Sequence, residues 1–403
     1  MHLNGKFTSE KELKKKLDYI YLNSQKGHSF YGIIEVAFNE VTIITAIHNI
    51  KANKGSQTAG IDQLKMDKYL QMDKDSLIKL IKNSVKIYRP KPVKRVYIEK
   101  ANGKMRPLGI PTIFDRIIQE CLRIVLEPMM EAKFYPNSYG FRPYRATKHA
   151  IKDIINLINC NKNNTPIYAI EGDIKAYFDT INHRLLLKKL WKMGIRDKRV
   201  LSIINEMLKV GYIDNELHNI TKDGTAQGST ISPLLANCYL NSFDWTVGRM
   251  YQTPVQKCKC IRNDRKRLTA HGVNPKYLVR YADDWTILTT EEKEAKRILS
   301  YLRKYYRYRL KLELSEEKTL ITNLTVKPMK FLGFIVKAAA PRGAPASNKA
   351  KLVGKAYPNM EKVKTQVQNI NNEVRKLKNI MSDTLRILKI KKINSMIMGV
   401  AEY

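Results

Sequence analysis

The chain has 403 residues, and its 43% hydrophobic content is sufficient for a buried core in two or three domains. Lys and Arg outnumber Asp and Glu by 73 to 37, and a formal charge of +36 is costly by self-repulsion unless a polyanion such as nucleic acid neutralises it. No apolar stretch reaches the roughly 18 residues of a spanning helix, which argues against a membrane partner, and five mostly scattered Cys favour a reducing interior: a prokaryotic cytoplasm, or an organelle.

The first 50 residues are predicted to form a helical extension, because apolar residues recur at helical spacing in the charged run 10–22. Residues 51–62 follow as a loop rich in Gly, Ser and Lys. This loop is either a flexible surface segment or one whose glycines let the backbone approach phosphate closely. Its candidate binding residues are Lys54, Gly55 and Gly60.

A hairpin is predicted over residues 88–112. Apolar and cationic residues alternate up to Asn102-Gly103, a pair typical of two-residue turns, and a second cationic strand returns. Lys100 and Arg106 flank this turn. They are either ordinary exposed cations of a basic protein or groups placed to bind an anion.

A helix with Asp115 as its N-cap should follow and end at Pro128. Residues 135–145 form a Pro- and Gly-containing loop with aromatic residues and Arg142, which suits either nucleic-acid contact or a purely structural role. Residues 146–159 are predicted to form a second helix.

The segment 166–179 predicts a strand that ends in an acid. Ile170 lies on its buried face, whereas Asp173 shares the opposite face with Ala169. Phe178 follows five residues later, as a core residue or as a contact beside the acid. A lone Asp after a strand carries little information, so a second acidic segment is needed.

Asp179 and His183 are interpreted as capping or packing residues, and residues 185–210 as largely helical. A Gly-rich loop containing Gln227 then precedes a helix capped by Ser232. The packing of that helix onto the sheet should bring Gln227 towards the acids.

A basic insertion is predicted at about 248–276. Its Cys258-x-Cys260 pair and His271 suggest zinc, but a fourth ligand is missing and the Cys spacing is weak evidence. A loop that binds the phosphates of structured RNA is the better interpretation.

Two adjacent acids, Asp283 and Asp284, stand between an apolar run and a β-branched, aromatic run, a pattern that predicts a hairpin with both acids at its tip. Two carboxylates this close repel each other unless a cation lies between them. An oxygen-only cluster suits Mg²⁺ or Mn²⁺. The alternative is a solvated Asp-Asp turn, against which the flanking apolar runs argue.

A charged helix over 291–308 and a strand over 330–336 are predicted next, and residues 341–347 have the composition of a linker. Apolar residues between 363 and 381 recur at steps of four and three, which indicates an amphipathic helix, and another helix should begin near Asp383. Since no stop signal precedes the last residue, we expect the sequence to be a fragment of a longer protein.

Five motifs resemble those of the reverse transcriptases encoded by group II introns, also called intron maturases. They are S-Y-G-F-R-P at 138–143, D-I-K-A-Y-F-D at 173–179, A-Q-G at 226–228, Y-A-D-D at 281–284 and F-L-G-F at 331–334. Ala226 stands where the family usually has Pro, while Gln227 and Gly228 are kept. The resemblance covers about residues 50–400.

The resemblance implies a polymerase site with two metal ions. The catalytic residues, which would also hold two Mg²⁺ or alternatively Mn²⁺, are Asp173, Asp283 and Asp284. The residues that would bind the incoming nucleotide are Lys100, Arg106, Phe178 and Gln227. Those that would bind template or primer are Lys54, Gly55, Gly60, Arg142 and Gly333. Phe178 would lie under the sugar and exclude a 2′-hydroxyl sterically.

The implied fold is a right-hand polymerase of the α+β class, with an antiparallel sheet packed on helices. Its parts would be an amino-terminal extension at 1–50, fingers at 51–165, a palm with the basic insertion at 166–340, and a linker with a truncated helical thumb at 341–403.

The implied function is RNA-directed DNA polymerisation together with binding of the intron RNA to assist splicing. Partners would be group II intron RNA, an RNA template with a DNA primer, and deoxynucleoside triphosphates; a homodimer is left open. The alternative is an RNA-binding splicing cofactor whose polymerase activity is absent in this fragment. A third interpretation is another reverse transcriptase lineage or an RNA-templated RNA polymerase, and Phe178 argues against ribonucleotide use.

Overall fold

The structure is a computed structural model that describes residues 1–99, 103, 105–160, 165–214, 217–219, 221–341, 352–380 and 382–401. Lys100 of the predicted nucleotide site lies outside the described residues, and so does the side chain of Lys54. Among the described residues, no helix combines the length and the apolar character needed to cross a bilayer.

In the part of the chain that the structure describes, helices surround three β-sheets, which bears out the predicted α+β class. The helices are α1 (Glu10–Gln25), α2 (Ile33–Ala37), α3 (Glu40–Ala52), α4 (Met66–Leu70), α5 (Lys74–Ser84), α6 (Ile113–Glu131), α7 (Thr147–Asn159), α8 (His183–Lys192), α9 (Lys198–Lys209), α10 (Ser232–Gly248), α11 (Ile261–Ala270), α12 (Glu292–Lys304), α13 (Met360–Arg375) and α14 (Asp383–Ala401). The strands are β1 (Val93–Glu99), β2 (Met105–Ile110), β3 (Tyr168–Gly172), β4 (Tyr212–Asp214), β5 (Leu217–Asn219), β6 (Tyr277–Tyr281), β7 (Asp284–Thr289), β8 (Leu320–Asn323), β9 (Met329–Phe331), β10 (Phe334–Ala339) and β11 (Val353–Pro358).

The central sheet is antiparallel, with strand order β6-β7-β3-β8. One face, including Ile170 and Ile287, joins the main core, and the other, including Ala169 and Leu288, packs against α7 and the β9–β10 hairpin. Ala169 is therefore fully buried. The prediction of a single buried face for β3 was wrong, because helices and strands cover this sheet on both sides.

A second sheet, which contains the hairpin of the predicted fingers, has the order β2-β1-β4-β5. β1 pairs antiparallel with β2 and, through Val93 and Tyr212, parallel with β4. Two side-chain contacts reinforce the second pairing: Arg95 lies 3.5 Å from the centre of the Tyr212 ring, and the Tyr97 hydroxyl donates to Asp214 at 2.5 Å. The sheet thus takes two strands from beyond the predicted fingers boundary at residue 165.

Helix α6 differs from its prediction at both ends. Thr112, rather than Asp115, is the N-cap, and its hydroxyl accepts from the Asp115 backbone N–H. Pro128 lies inside the helix, because the backbone N–H of Ala132 still donates to the Pro128 carbonyl and closes a last turn. The Ser232 cap was also misplaced: Ser232 is the first residue of α10.

The F-L-G-F segment is a hairpin and not the single strand that was predicted. β9 ends at Phe331, β10 begins at Phe334, and Leu332 and Gly333 between them have φ values of 50° and 85°. Two consecutive residues with positive φ reverse the chain in a tight turn, which a short apolar run does not reveal.

Candidate active site

The three predicted catalytic acids meet at one end of the central sheet. β6 and β7 form a hairpin in which Tyr281 pairs with Asp284, so Ala282 and Asp283 occupy the turn. On the other side of β7, Gly172 of β3 pairs with Trp285, which places Asp173 beside Asp284. A Cβ on Gly172 would lie 2.0 Å from the Trp285 ring, so this close approach requires glycine.

The surroundings of Asp283 and Asp284 disfavour the charged forms of their carboxyl groups. Burial, followed by the charges of Asp283 and Asp173, raises the pKa of Asp284 to about 6. Burial, with a contribution from Asp173, also raises the pKa of Asp283. Asp284 is exposed as a residue, yet protein atoms around its carboxyl displace enough water to disfavour the charged form. The cluster therefore favours a cation among its oxygens.

Lys318 supplies such a cation in the structure. Its Nζ lies 2.9 Å from Asp173 Oδ2, and this contact raises the pKa of Lys318. Among the described residues, no three His, Cys, Asp or Glu side chains are arranged closely enough to hold a metal ion. The all-oxygen donor set nevertheless fits Mg²⁺ or Mn²⁺, and Lys318, which the sequence did not single out, balances part of the charge without metal.

In metal-free protein we expect the Asp284 carboxyl to titrate near pH 6. Because this folded-state pKa lies above the ordinary 3.8, protonation of Asp284 should stabilise the fold as pH falls below about 6. Lys318→Gln should raise the pKa further, since the ammonium lowers it. Carboxyl ¹³C chemical shifts, assigned with Asp284→Asn, measure this, and a midpoint at 3.8 would contradict it.

A buried ion pair fixes the turn that carries the acids. Arg280 and Asp244 are both 0% exposed, and two hydrogen bonds of 2.7 Å join the guanidinium to the carboxylate. Arg280 also donates to the Ala282 carbonyl at 2.6 Å and to Asn237 Oδ1 at 3.0 Å. An arginine inside an otherwise apolar strand was the signal that the sequence offered for this anchor.

The S-Y-G-F-R-P loop packs directly against the same turn. A Cβ on Gly140 would lie 2.3 Å from the Ala282 backbone nitrogen. Arg142, a predicted template contact, is buried, pairs with Glu131 at 2.5 Å and donates to the Ser138 carbonyl. Because its guanidinium binds protein, this arrangement gives Arg142 a structural role, and its contact with template stays an unsupported prediction.

The predicted nucleotide-binding residues that are described lie around one chain of hydrogen bonds. Arg106 Nε donates to Gln227 Oε1 at 2.8 Å, and Gln227 Nε2 donates to Asp179 Oδ2 at 3.4 Å. Phe178 is 8% exposed and meets the half-exposed Phe141 ring edge to face at 6.2 Å. Asp179, interpreted as a capping or packing residue, therefore orients Gln227.

The glycines predicted to contact template or primer have local structural reasons. The Gly55 carbonyl accepts from Arg116 at 2.8 Å, and a Cβ on Gly60 would lie 2.7 Å from Thr112. Gly333 forms the β9–β10 turn. Their contacts with nucleic acid remain predictions.

Comparisons with known proteins agree with this geometry. The family model described as reverse transcriptase (RNA-dependent DNA polymerase) matches residues 98–336, more than half of the chain. Group II intron-encoded protein LtrA of Lactococcus lactis subsp. cremoris is 35% identical in an alignment of 378 positions that covers 83% of this chain and 62% of LtrA. Protein YkfC of Escherichia coli is 36% identical in an alignment of 291 positions that covers 68% of this chain and 74% of YkfC.

A 91 kDa protein in the cob intron of Schizosaccharomyces pombe is 32% identical in an alignment of 332 positions that covers 73% of this chain and 40% of that protein. The chain therefore spans less than two thirds of LtrA and of the yeast protein. These matches confirm the right-hand polymerase fold and the resemblance noted in the motifs. The chain belongs to the reverse transcriptase family, in the branch encoded by group II introns.

Proposed function

We propose that the chain copies RNA into DNA by nucleotidyl transfer. The observation that supports this most directly is the convergence of Asp173, Asp283 and Asp284 at one end of the central sheet, with two raised pKa values. Such a cluster suits the charge of a triphosphate and its metal ions better than a solvated turn does.

The three carboxylates would hold two Mg²⁺ or Mn²⁺ ions, and Asp173 would release Lys318 to do so. When bound, the ions activate the primer 3′-hydroxyl and neutralise charge on the triphosphate. The buried Arg280–Asp244 pair would keep the Asp283 turn in place, because the Arg280 guanidinium also donates to the Ala282 carbonyl.

Arg106 would bind the phosphates of the incoming deoxynucleotide, with Lys100 as its proposed partner. A planar guanidinium matches phosphate oxygens and the charge that develops on the leaving pyrophosphate. Gln227 holds the Arg106 guanidinium, and Asp179 holds Gln227. These two hydrogen bonds would orient the arginine side chain for phosphate binding.

Phe178→Ala should relax the choice of sugar. We expect incorporation of ribonucleotides relative to deoxynucleotides to rise roughly ten- to hundredfold, because removal of the ring removes the steric barrier to a 2′-hydroxyl. Single-nucleotide incorporation kinetics with both substrates measure the ratio. Phe178→Tyr keeps the bulk and should keep the selectivity; equal ratios in wild type and Phe178→Ala would refute this role.

Intron RNA binding is a second proposed function. It is supported by the +36 charge, by the basic insertion and by the relative named as a group II intron-encoded protein. The chain would then assist splicing of its intron. A cytoplasmic or organellar location and a homodimer stay predictions.

Primer extension on an annealed RNA template, with Mg²⁺ and deoxynucleotides, tests the first function, and filter binding of structured RNA in parallel tests the second. Extension establishes an RNA-templated DNA polymerase. Tight, salt-sensitive RNA binding without extension would favour the splicing cofactor alternative for this chain.

A further inference from the structure

A cavity of about 540 Å³ lies between the carboxyl end of α7, the insertion helix α11 and one end of the central sheet. It is remote from the acids: Asp284 and Thr289 are the first and last residues of β7, and five steps along a strand span roughly 17 Å. A group bound in this cavity is therefore not the template base that is being copied.

The inner part of the cavity is apolar and aromatic. Leu157, Ile167 and Leu288 form its floor, and the rings of Tyr251 and Tyr277 meet edge to face with centroids 5.5 Å apart. Its volume lies within the range of sites that enclose small organic groups, and a nucleobase is a flat group of this kind.

The rim is cationic. Arg262, Arg265 and Lys266 of α11 line the cavity, and no acidic residue is among the described lining residues. The guanidinium of Arg265 already donates a hydrogen bond to the Gln252 carbonyl at 3.0 Å. Arg262 and Lys266 are exposed, lie one helical turn apart on α11, and form no ion pair with a described residue. They are available to an anion.

We propose that this cavity binds one unpaired nucleotide of structured RNA. The base enters against the tyrosine rings and the apolar floor, and its phosphate lies against Arg262 and Lys266. Proteins read RNA chiefly through such splayed-out bases, which stack on aromatic residues. The inference rests on the proposed RNA binding and assigns it a specific site outside the polymerase cleft.

The test compares RNA hairpins that carry a randomised bulge of one to three nucleotides with the same stem fully paired. We expect wild type to prefer the bulged pool at least tenfold, and Arg262→Ala/Lys266→Ala to lose that preference. Lys257→Ala/Lys259→Ala removes equal charge from exposed residues of the same insertion that do not line the cavity. This control should weaken binding of both RNAs equally and keep the preference.

Primer extension should be unchanged in both double variants. Equal affinity of wild type for both RNAs, or equal effects of the cavity and control variants, would overturn the site, whereas failure to bind either RNA would overturn the proposed RNA binding itself.

Discussion

Asp283→Asn is expected to reduce primer extension about a thousandfold or more, equivalent to at least about 4 kcal/mol of transition-state stabilisation. An amide carries no charge and is a weaker ligand for Mg²⁺, so the acid cluster loses one of three anionic donors. RNA binding should stay within about twofold of wild type, because the basic surfaces are untouched. Single-turnover extension and filter binding measure the two quantities.

Asp383→Asn is the matched control for this experiment. It removes the same charge from an exposed carboxylate at the start of α14, and extension should stay at the wild-type rate. If Asp283→Asn extended primers as fast as this control, the assignment of the acid cluster as the catalytic site would be wrong.

Arg280→Met should lower the free energy of unfolding by about 3–5 kcal/mol, because it leaves the Asp244 carboxylate buried without its partner. The Ala282 carbonyl and Asn237 lose donors as well. Extension should fall together with stability, since the turn that carries Asp283 loses its anchor. Denaturant unfolding followed by circular dichroism measures the change.

Two comparisons make this prediction specific. Arg280→Met/Asp244→Leu removes the orphaned charge and should be more stable than Arg280→Met alone. Lys296→Ala breaks an exposed pair with Glu292 and should cost at most about 1 kcal/mol. Equal losses in Arg280→Met and Lys296→Ala would show that the buried pair is not a structural anchor.

The acid hairpin was predictable because its signals are local. Apolar and β-branched runs on both sides of Asp283 and Asp284 define two strands and a turn within about ten residues. Lys318 was not predictable, because it lies 145 positions from Asp173 and a basic chain offers many lysines as candidates. Only the tertiary fold selects one of them.

The contacts of Arg142 were not predictable, although its motif was recognisable. The S-Y-G-F-R-P motif identifies a family segment, but it does not reveal which groups the arginine side chain contacts. Glu131 lies 11 positions away at the end of α6, and its carboxylate forms an ion pair with the Arg142 guanidinium. Burial and pairing, which decide whether an arginine is free for a nucleic acid, depend on the packing of α6 and not on the local sequence.

The parallel pairing of β1 with β4 has a consequence for how the chain folds during synthesis. β2 follows β1 almost immediately, so the β1–β2 hairpin can form early. The other edge of β1 stays uncovered until Tyr212 has been synthesised and pairs with Val93. Contacts of such long sequence separation form slowly, and an uncovered strand edge invites pairing with other chains. This sheet of each nascent chain is thus completed only after Tyr212 has left the ribosome.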